Sequence, residues 1–381
     1  MIQINEKEKC CGCSACANVC PKRCITMVTD EEGFYYPSVD LSECINCMRC
    51  ETVCPFLHDE KGKDVLVSYA AKSRNNEVRI NSSSGGVFYH LAERFLSDGG
   101  IVIGVAMDDD CKSARHIIIR DVSELARIRG SKYIQTDPMT LYETISKTIK
   151  GGQKVLFSGT PCQVNALKRF VGKDDQNLFC VDVICHGVPS AKLWEKYLNY
   201  RQAKVGSVRK VSFRYKKDGW KDYGLLLENE DHQFFYSPKQ TDSYFQLFLK
   251  NLSLRPSCYS CKAKTERYSD LTLGDFWGIE RMVPDFNDGT GASLIVCRTE
   301  LGMELVKTIR DSVELQEVDY SVAIEKNKTD FISVEKPKER DCFFKDLDNL
   351  SFTKLKKKYV RIDWLKEIKR RIKKKISSAK K

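Results

Sequence analysis

The length and composition of the chain exclude several protein classes. With 381 residues, 42% of them hydrophobic and 30% charged, it can bury the cores of two or three globular domains and is neither disordered nor fibrous. Its first residues, MIQINEKEKC, lack the apolar segment of a signal peptide, and no apolar stretch approaches the roughly 18 to 20 residues of a membrane span. We therefore expect a cytoplasmic protein, in which 18 cysteines indicate metal-bound thiolates rather than disulfides.

Two cysteine runs open the chain, CCGCSACANVCP at 10–21 and CINCMRCETVCP at 44–55. Each has the Cys-x2-Cys-x2-Cys-x3-Cys-Pro spacing of bacterial ferredoxins, in which three thiolates hold one 4Fe-4S cube and the fourth reaches the other cube. Residues 1–57 are therefore expected to form a two-cluster ferredoxin domain. Two zinc sites would leave the third and fourth cysteines of each run unexplained, and Cys11 and Cys24 fall outside the pattern. The predicted ligands are Cys10, Cys13, Cys16 and Cys54 for the first cluster, and Cys44, Cys47, Cys50 and Cys20 for the second.

After a charged linker at 58–64, short β-rich runs alternate with helical ones, which predicts a mixed α/β body. VLVSYAAKS is expected to be a strand, NSSSGGVFYHLAERFLSDGG a loop opening a helix, and IVIGVAMDDDCKSARHIIIRD a hairpin. KVLFSGTPCQVNALKRF follows as strand, loop and helix, and LFCVDVICHGVPS as a buried strand ending in a loop. VRKVSFRYKK and YGLLLENEDHQFFY predict antiparallel strands, after which DLTLGDFWGIE and ASLIVCRTELGMELVKTIRD resume the α/β pattern.

Two loops of this body have residues suited to phosphate. Small residues at 82–86, SSSGG, stand where a helix begins, and Ser158, Gly159 and Thr160 follow a buried strand. Such positions leave backbone N–H groups open to an anion at the positive end of a helix dipole. Neither loop fits the Walker or dinucleotide glycine patterns, and each can equally be a plain helix cap.

Four later cysteines are candidate metal ligands: Cys162, Cys185, Cys258 and Cys261. The last two form a Cys-x2-Cys pair before a basic stretch, which is an ordinary half-site for zinc or iron. Spacing alone leaves open whether Cys162 and Cys185 complete it.

SSSGG at 82–86, GSKYIQT at 130–136, FSGTPCQVNALK at 157–168, ICHG at 184–187, CYSCKAK at 258–264 and the following DLTLGDFWG resemble the family formed by the beta subunits of coenzyme F420 hydrogenases and dehydrogenases. The resemblance covers about 64 to 320, with the motifs in family order. It implies an N-terminal family domain at 64–150 and a C-terminal one at 151–340. The fold expectation is therefore α+β, with a ferredoxin-like two-cluster domain followed by a mixed α/β flavin-binding body.

The resemblance also implies cofactors: FAD, and a third 4Fe-4S cluster on the four later cysteines. A zinc clip in a chain that has lost its flavin is the alternative. Since cubes pass single electrons whereas a flavin handles one or two, a flavin beside a cube converts one kind of transfer into the other. The residues implied to surround FAD are Ser83, Ser84, Gly85, Gly86, Ser131, Lys132, Tyr133, Gly159 and Thr160.

Deazaflavin-using members tend to have small residues where this chain has GDFWGI at 274–279, and the bulk of Phe276 and Trp277 argues against coenzyme F420 itself. Asp275, His186, Lys132 and Tyr133 are candidates for a proton donor or a flavin contact, although a surface Asp and a capping His are the plainer readings. No catalytic residue is assigned.

Residues 353–381 form a basic tail in which fourteen residues are Lys or Arg and two are acidic, which accounts for the net charge of +11 of the whole chain. Trp364, Leu365, Ile368, Ile372 and Ile376 fall near one helical stripe, a pattern typical of a helix on an anionic membrane or an acidic partner. A solvated tail is the alternative. No aromatic and basic surface elsewhere supports nucleic-acid binding.

Two functions follow. In the first, the chain is an FAD and iron-sulfur oxidoreductase whose FAD exchanges two electrons with its own substrate, either F420 or another organic acceptor. In the second, it is an electron-transfer subunit that serves a redox partner protein.

Overall fold

The computed structural model describes residues 1–172 and 175–360. The chain begins with a small unit built around the two cysteine runs, in which β1 and β2 pair antiparallel. The runs fold alike: Gly12 and Ser14 in the first, and Asn46 and Met48 in the second, all have positive φ. These left-handed residues turn the chain so that each loop curls inward before a short helix. The elements are α1 (Ala15–Val19), β1 (Ile25–Thr29), β2 (Tyr35–Val39) and α2 (Arg49–Thr52).

An eight-stranded mixed sheet forms the centre of the body, in the order β13-β3-β12-β11-β7-β6-β4-β5. Its middle strands β4, β6, β7 and β11 are parallel neighbours, and the strands outside them pair antiparallel. The strands are β3 (Val67–Ser73), β4 (Ile101–Met107), β5 (Ala114–Ile119), β6 (Val155–Gly159), β7 (Leu178–Val183), β11 (Leu271–Asp275), β12 (Ser293–Cys297) and β13 (Val313–Glu317).

Helices cover both faces of this sheet, as buried parallel strands require. One face packs on α4 and α10 through Leu91 and Leu305, and the other on α6 and α7 through Ile145 and Leu167. Alternate residues of one strand serve the two cores, since Leu156 faces the first and Phe157 the second. The helices are α3 (Asn76–Ile80), α4 (Val87–Ser97), α5 (Leu125–Ile128), α6 (Tyr142–Lys150), α7 (Pro161–Val171), α10 (Glu300–Thr308) and α11 (Tyr320–Ala323).

A three-stranded antiparallel sheet, in the order β10-β9-β8, packs with four helices at one side of the body. Its core contains Trp194, Phe213, Tyr244 and Phe343, all buried. The elements are α8 (Ala191–Val205), β8 (Val208–Tyr215), β9 (Gly224–Asn229), β10 (Phe234–Pro238), α9 (Ser243–Leu249), α12 (Arg340–Asn349) and α13 (Phe352–Tyr359). The sequence prediction of antiparallel strands at 207–237 is confirmed, as is the mixed α/β body.

The N-terminal unit shares its interior with the body. Phe34 and Tyr36 belong to the core beside the three-stranded sheet, and Ala15 and Val53 to the core under α6 and α7. Segment 58–64 follows the body surface, with the Lys63 N–H donating to the Arg267 carbonyl over 2.8 Å. The N-terminal unit is therefore docked on the body.

In residues 1–172 and 175–360, no helix is both long and apolar enough to cross a membrane. The tail predicted at 353–381 lies mostly outside the described residues. Its first part is described: α13 places Leu355 and Tyr359 in a buried core together with Val360. Any separable tail therefore begins no earlier than residue 361.

Candidate functional site

The four cysteines predicted for the first cluster lie together. Burial, followed by the charges of Cys13 and Cys10, raises the pKa of Cys54 to about 11. Burial and the charges of Cys13, Cys10 and Cys54 also raise the pKa of Cys16. The second run thus reaches back to the first, as the crossed ferredoxin arrangement requires.

The four cysteines predicted for the second cluster line one cavity. Cys20, Cys44, Cys47 and Cys50 all border it, and the Ile2 N–H donates to the Cys50 sulfur over 3.3 Å. Cys24, which the spacing left out, also lines this cavity, with its sulfur 3.4 Å from that of Cys20.

The four later cysteines converge from separate parts of the body, and their arrangement is a finding that spacing alone left open. Cys162 lies on the first turn of α7 and Cys185 follows β7. Cys258 lies on the short helical turn Pro256–Ser260 after α9, and Cys261 directly follows that turn. Burial raises the pKa of Cys261 to about 12, with further contributions from the charges of Cys162 and Cys185.

Cys11, the other cysteine outside the pattern, lies where the first cysteine loop meets this third group. Its thiol interacts with the thiols of both Cys13 and Cys162. That contact, more than the Thr160 hydroxyl 3.2 Å from the Cys162 sulfur, lowers the pKa of Cys162 to about 6.

The donor chemistry of the three groups fits iron-sulfur clusters. All twelve donors are thiols, and nowhere in residues 1–172 and 175–360 do three His, Cys, Asp or Glu side chains meet around a single-ion site.

Two of the segments implied to surround FAD meet through serines. The Ser83 hydroxyl accepts from the Ser131 N–H over 2.7 Å and lies 3.0 Å from its hydroxyl. Gly85 must be glycine here, because a Cβ would lie 2.4 Å from the Ala71 carbonyl oxygen. Its N–H donates to the Ser293 hydroxyl over 2.9 Å, so that amide is not open to a phosphate as the loop pattern suggested.

The third implied segment, with Gly159 and Thr160, lies where β6 ends and α7 begins. Gln163, on the first turn of α7, accepts from the Thr160 N–H over 2.9 Å and donates to the Thr136 hydroxyl over 3.1 Å. The loop with Gly159 and Thr160 thus meets the end of GSKYIQT, and Thr160 also touches Cys162. This loop connects the third cysteine group with the serine loops.

The polar candidates have defined partners. Burial lowers the pKa of Lys132 to about 7, and its ammonium donates to the Arg127 and Arg129 carbonyls. Burial also lowers the pKa of His186, which pairs with the Asn251 side chain over 2.7 Å. Both are therefore tied into the fold.

Asp275 is not a surface residue with a free carboxylate. It accepts two hydrogen bonds from Arg214, over 2.7 and 2.8 Å, and a third from the Trp220 indole over 2.8 Å. Trp220 in turn stacks on Trp277, with ring centroids 4.9 Å apart. Phe276 is buried in the same core, and Trp277 only partly so.

Arg214 is the central residue that sequence reasoning missed. Besides Asp275, its buried guanidinium donates to the Ser83 carbonyl and the Tyr133 hydroxyl over 3.0 and 3.2 Å. It therefore joins SSSGG, GSKY and GDFWG at one point. The available signal was a basic residue inside the apolar run VSFRY.

Comparisons with known proteins place the chain in a family. A 4Fe-4S dicluster domain matches residues 9–57. The N-terminal and C-terminal parts of the beta subunit of coenzyme F420 hydrogenase/dehydrogenase match residues 68–141 and 152–322. The chain belongs to this family of beta subunits. It is thus an iron-sulfur protein of an oxidoreductase family, with a two-cluster region in front of the beta-subunit body.

Its curated relatives within that family are distant. One subunit of the F420H2 dehydrogenase of Methanosarcina mazei is 21% identical, over 83% of this chain and 87% of that protein. Coenzyme F420-dependent sulfite reductase of Methanocaldococcus jannaschii is 22% identical over 83% of this chain, which spans about half (49%) of that relative. The 7-hydroxymethyl chlorophyll a reductase of Oryza sativa is 22% identical, over 74% of this chain and 64% of that enzyme.

A solved structure, a chain of the F420-reducing NiFe hydrogenase complex of Methanosarcina barkeri, is 18% identical. The match has a TM-score of 0.48 and covers 71% of this chain and 91% of that one.

Proposed function

We propose that this member of the family carries three 4Fe-4S clusters and FAD and moves single electrons between the clusters and the flavin. The observation that carries the proposal is the grouping of twelve cysteines into three sets of four, the third of which adjoins the loop with Gly159 and Thr160. The proposed ligands are the sets predicted from the sequence. When bound, a flavin supplies the exchange between one-electron and two-electron transfer.

The placement of the cysteine groups supports an order for the electron path. The second group is the outermost, because Cys47 is exposed and Ile45 beside it is 58% exposed. The first group lies against the body, where Cys13 and Cys162 both contact Cys11. Electrons would therefore pass between an external partner and the second, first and third clusters in turn, in either direction.

Residues of the body would hold the flavin rather than react with it. Ser83, Ser131, Tyr133 and Arg214 form one connected polar group, and Arg214 brings a buried positive charge to it. Because Asp275 neutralises that charge through two hydrogen bonds, the group would hold a flavin by its polar side chains rather than by a net positive charge. Asp275 orients Arg214, so it would act as a positioning residue.

An electron-transfer subunit without a substrate of its own is the second candidate. It is favoured by the names of the relatives, since one is a dehydrogenase subunit and the sulfite reductase is about twice the length matched by this chain. A stable partner recovered with the chain, together with no turnover of organic acceptors by the chain alone, would select this function.

The first experiment is cofactor analysis of the anaerobically purified protein. About twelve iron atoms and one FAD per chain are expected from three cubes and a flavin. About eight iron atoms without flavin would contradict the proposal and leave a ferredoxin unit on a scaffold.

A ligand substitution tests the third cluster directly. Cys162→Ser should remove about four iron atoms per chain, the content of one cube, while the signals of the other two clusters remain. Cys342→Ser is the matched control, because Cys342 is exposed on α12 and belongs to none of the three groups. Equal iron in the two variants would argue against the third cluster.

Electron entry through the N-terminal clusters is better tested by substitution than by deletion, because residues 1–57 share two cores with the body. Cys47→Ser should abolish reduction of the flavin by a protein donor, while a small reductant such as dithionite still reduces it. Unchanged reduction by the protein donor would contradict the proposed path.

The basic tail remains a separate proposal: residues 361–381 would bind an anionic membrane surface or an acidic partner. Because α13 is part of the core, the truncation belongs after Val360. Loss of sedimentation with anionic vesicles is expected, and equal sedimentation of the truncated chain would refute membrane binding.

A further inference from the structure

Arg255 lies between the first and third cysteine groups. It is only 1% exposed, three residues before Cys258. Its Nε donates to the Cys10 carbonyl over 2.7 Å, and its terminal nitrogens to the Tyr35 carbonyl over 2.9 Å and the Gln135 side chain over 3.4 Å. Arg255 therefore joins the loop of one proposed cluster to the ligand segment of another.

In the described part of the chain, no carboxylate accepts a hydrogen bond from Arg255. Its acceptors are two backbone carbonyls, one amide and the Cys10 side chain, and the guanidinium also lies over the Tyr36 ring, 4.3 Å from its centroid. A buried positive charge without a carboxylate is strongly unfavourable unless another anion compensates it. The fold must therefore obtain that compensation elsewhere.

Cysteines of both groups interact electrostatically with Arg255. Its charge acts on Cys10 and Cys13 on one side and on Cys162 and Cys258 on the other. A cube held by four thiolates has a net negative charge, and one-electron reduction adds another. A fixed cation beside such a cube stabilises its reduced form more than its oxidised form.

A second buried arginine at the same interface shows what a purely structural contact looks like. Arg340 is 3% exposed and docks the N-terminal unit through two hydrogen bonds to the Glu32 carboxylate, over 2.8 and 2.6 Å. Its charge is thus neutralised by a carboxylate at the interface. Arg255 makes equally extensive contacts and lacks that neutralisation.

We infer that Arg255 is a positioning residue of the electron path, which holds the first and third clusters at their junction and raises the reduction potentials of both. The inference rests on the proposed function, because it requires a cluster on each side. If the first cluster is the donor, it would lose one electron and be oxidised, and the third cluster would gain that electron and be reduced. No proton or bond is exchanged.

The test is a redox titration followed by electron paramagnetic resonance, which resolves each cluster without enzyme turnover. In Arg255→Gln we expect reduction of the first and third clusters to become about tenfold less favourable, which is about 59 mV for a one-electron couple. The second cluster should keep its potential, and Arg255→Lys, which retains the charge, should restore most of the shift.

Gln135→Glu covers the case in which Arg255→Gln does not fold. It leaves Arg255 in place and puts a carboxylate where the amide now lies, 3.4 Å from the guanidinium. The same two potentials should fall. The matched control is the double variant Arg340→Gln with Glu32→Gln, which removes a neutral pair from the same interface and should shift neither.

Unchanged potentials in Gln135→Glu, in protein with full iron content, would overturn the inference. So would equal shifts in the control. Failure of the proposed function is distinguishable, because iron and flavin analysis of the unsubstituted chain precedes the titration. A chain with three clusters and no flavin would still report the effect of Arg255, whereas one with two clusters would refute both claims.

Discussion

His116, on β5, is a buried histidine whose protonation is unfavourable in the folded protein. Its ring is 6% exposed and stacks on Phe157, with centroids 5.2 Å apart. Within the described structure, neither ring nitrogen has a hydrogen-bond partner. Burial lowers its pKa from 6.5 to about 4. The charged form is therefore disfavoured in the folded protein, as expected for an imidazole away from water.

This burial predicts a pH dependence of stability. Between pH 6.5 and about 4 the unfolded chain binds a proton that the folded chain excludes, so stability falls as pH is lowered through that window. From pH 7 to pH 5 the loss from His116 should be about 2 kcal/mol. His116→Phe should remove that part of the loss, measured by anaerobic denaturant unfolding at both pH values.

The matched control is His232→Gln, because His232 is exposed in the turn between β9 and β10. It should keep the full pH dependence of the unsubstituted protein. If His116→Phe and His232→Gln lose the same stability between pH 7 and pH 5, the buried ring is not the cause.

At the scale of elements, the N-terminus of α7 both caps the helix and carries a proposed cluster ligand. Its first turn contains Cys162, and Gln163 closes the N-terminus by accepting from the Thr160 N–H. Farther along, Lys168 forms a buried ion pair with Asp270 over 3.0 Å, which ties α7 to the start of β11. The position of Cys162 thus depends on how firmly this helix begins.

Gln163→Ala should destabilise the protein by about 1 kcal/mol, the usual cost of a lost N-terminal cap. Because the same turn holds Cys162, we expect faster loss of the third cluster to a chelator, monitored by its magnetic resonance signal. Glu143→Ala on α6 is the control, since Glu143 is exposed on a helix that packs against α7. Equal rates in both variants would mean that the cap does not support the ligand.

The sequence predicted the strands and helices and most of the cysteine grouping, but not which distant segments pack against one another. Hydrophobic runs marked β6, β7 and β11, and spacing paired the two cysteine runs, because both signals are local in the chain. The sheet order, which places β12, β3 and β13 beside β11, depends on packing between distant segments. Arg214 and Arg255 were missed for the same reason: a buried arginine is recognised by its partners, and those lie far away in sequence.

At the scale of the whole molecule, the N-terminal unit is part of the body's interior. Phe34 is fully buried, its ring packs edge-on against Phe344 at 6.1 Å, and Tyr36 belongs to the same core. The Tyr142 hydroxyl donates to the Cys13 carbonyl over 2.7 Å, and the Ser14 hydroxyl to the Met139 carbonyl over 2.8 Å. A ferredoxin unit held this way has a fixed distance to the third cysteine group, which suits electron transfer better than a tether does.

Phe34→Ala tests whether the two parts unfold together. Truncating a buried phenylalanine costs about 3–5 kcal/mol. Residues 1–57 contain no tryptophan, so tryptophan fluorescence reports on the chain outside the N-terminal unit. If the parts are one cooperative unit, the fluorescence transition of Phe34→Ala moves to lower denaturant together with the loss of visible cluster absorbance.

Val28→Ala, at a position 47% exposed on β1 of the same unit, should move neither. A fluorescence transition that stays in place while cluster absorbance is lost early would show that the N-terminal unit folds by itself, and the rigid junction at Arg255 would then lose its structural basis.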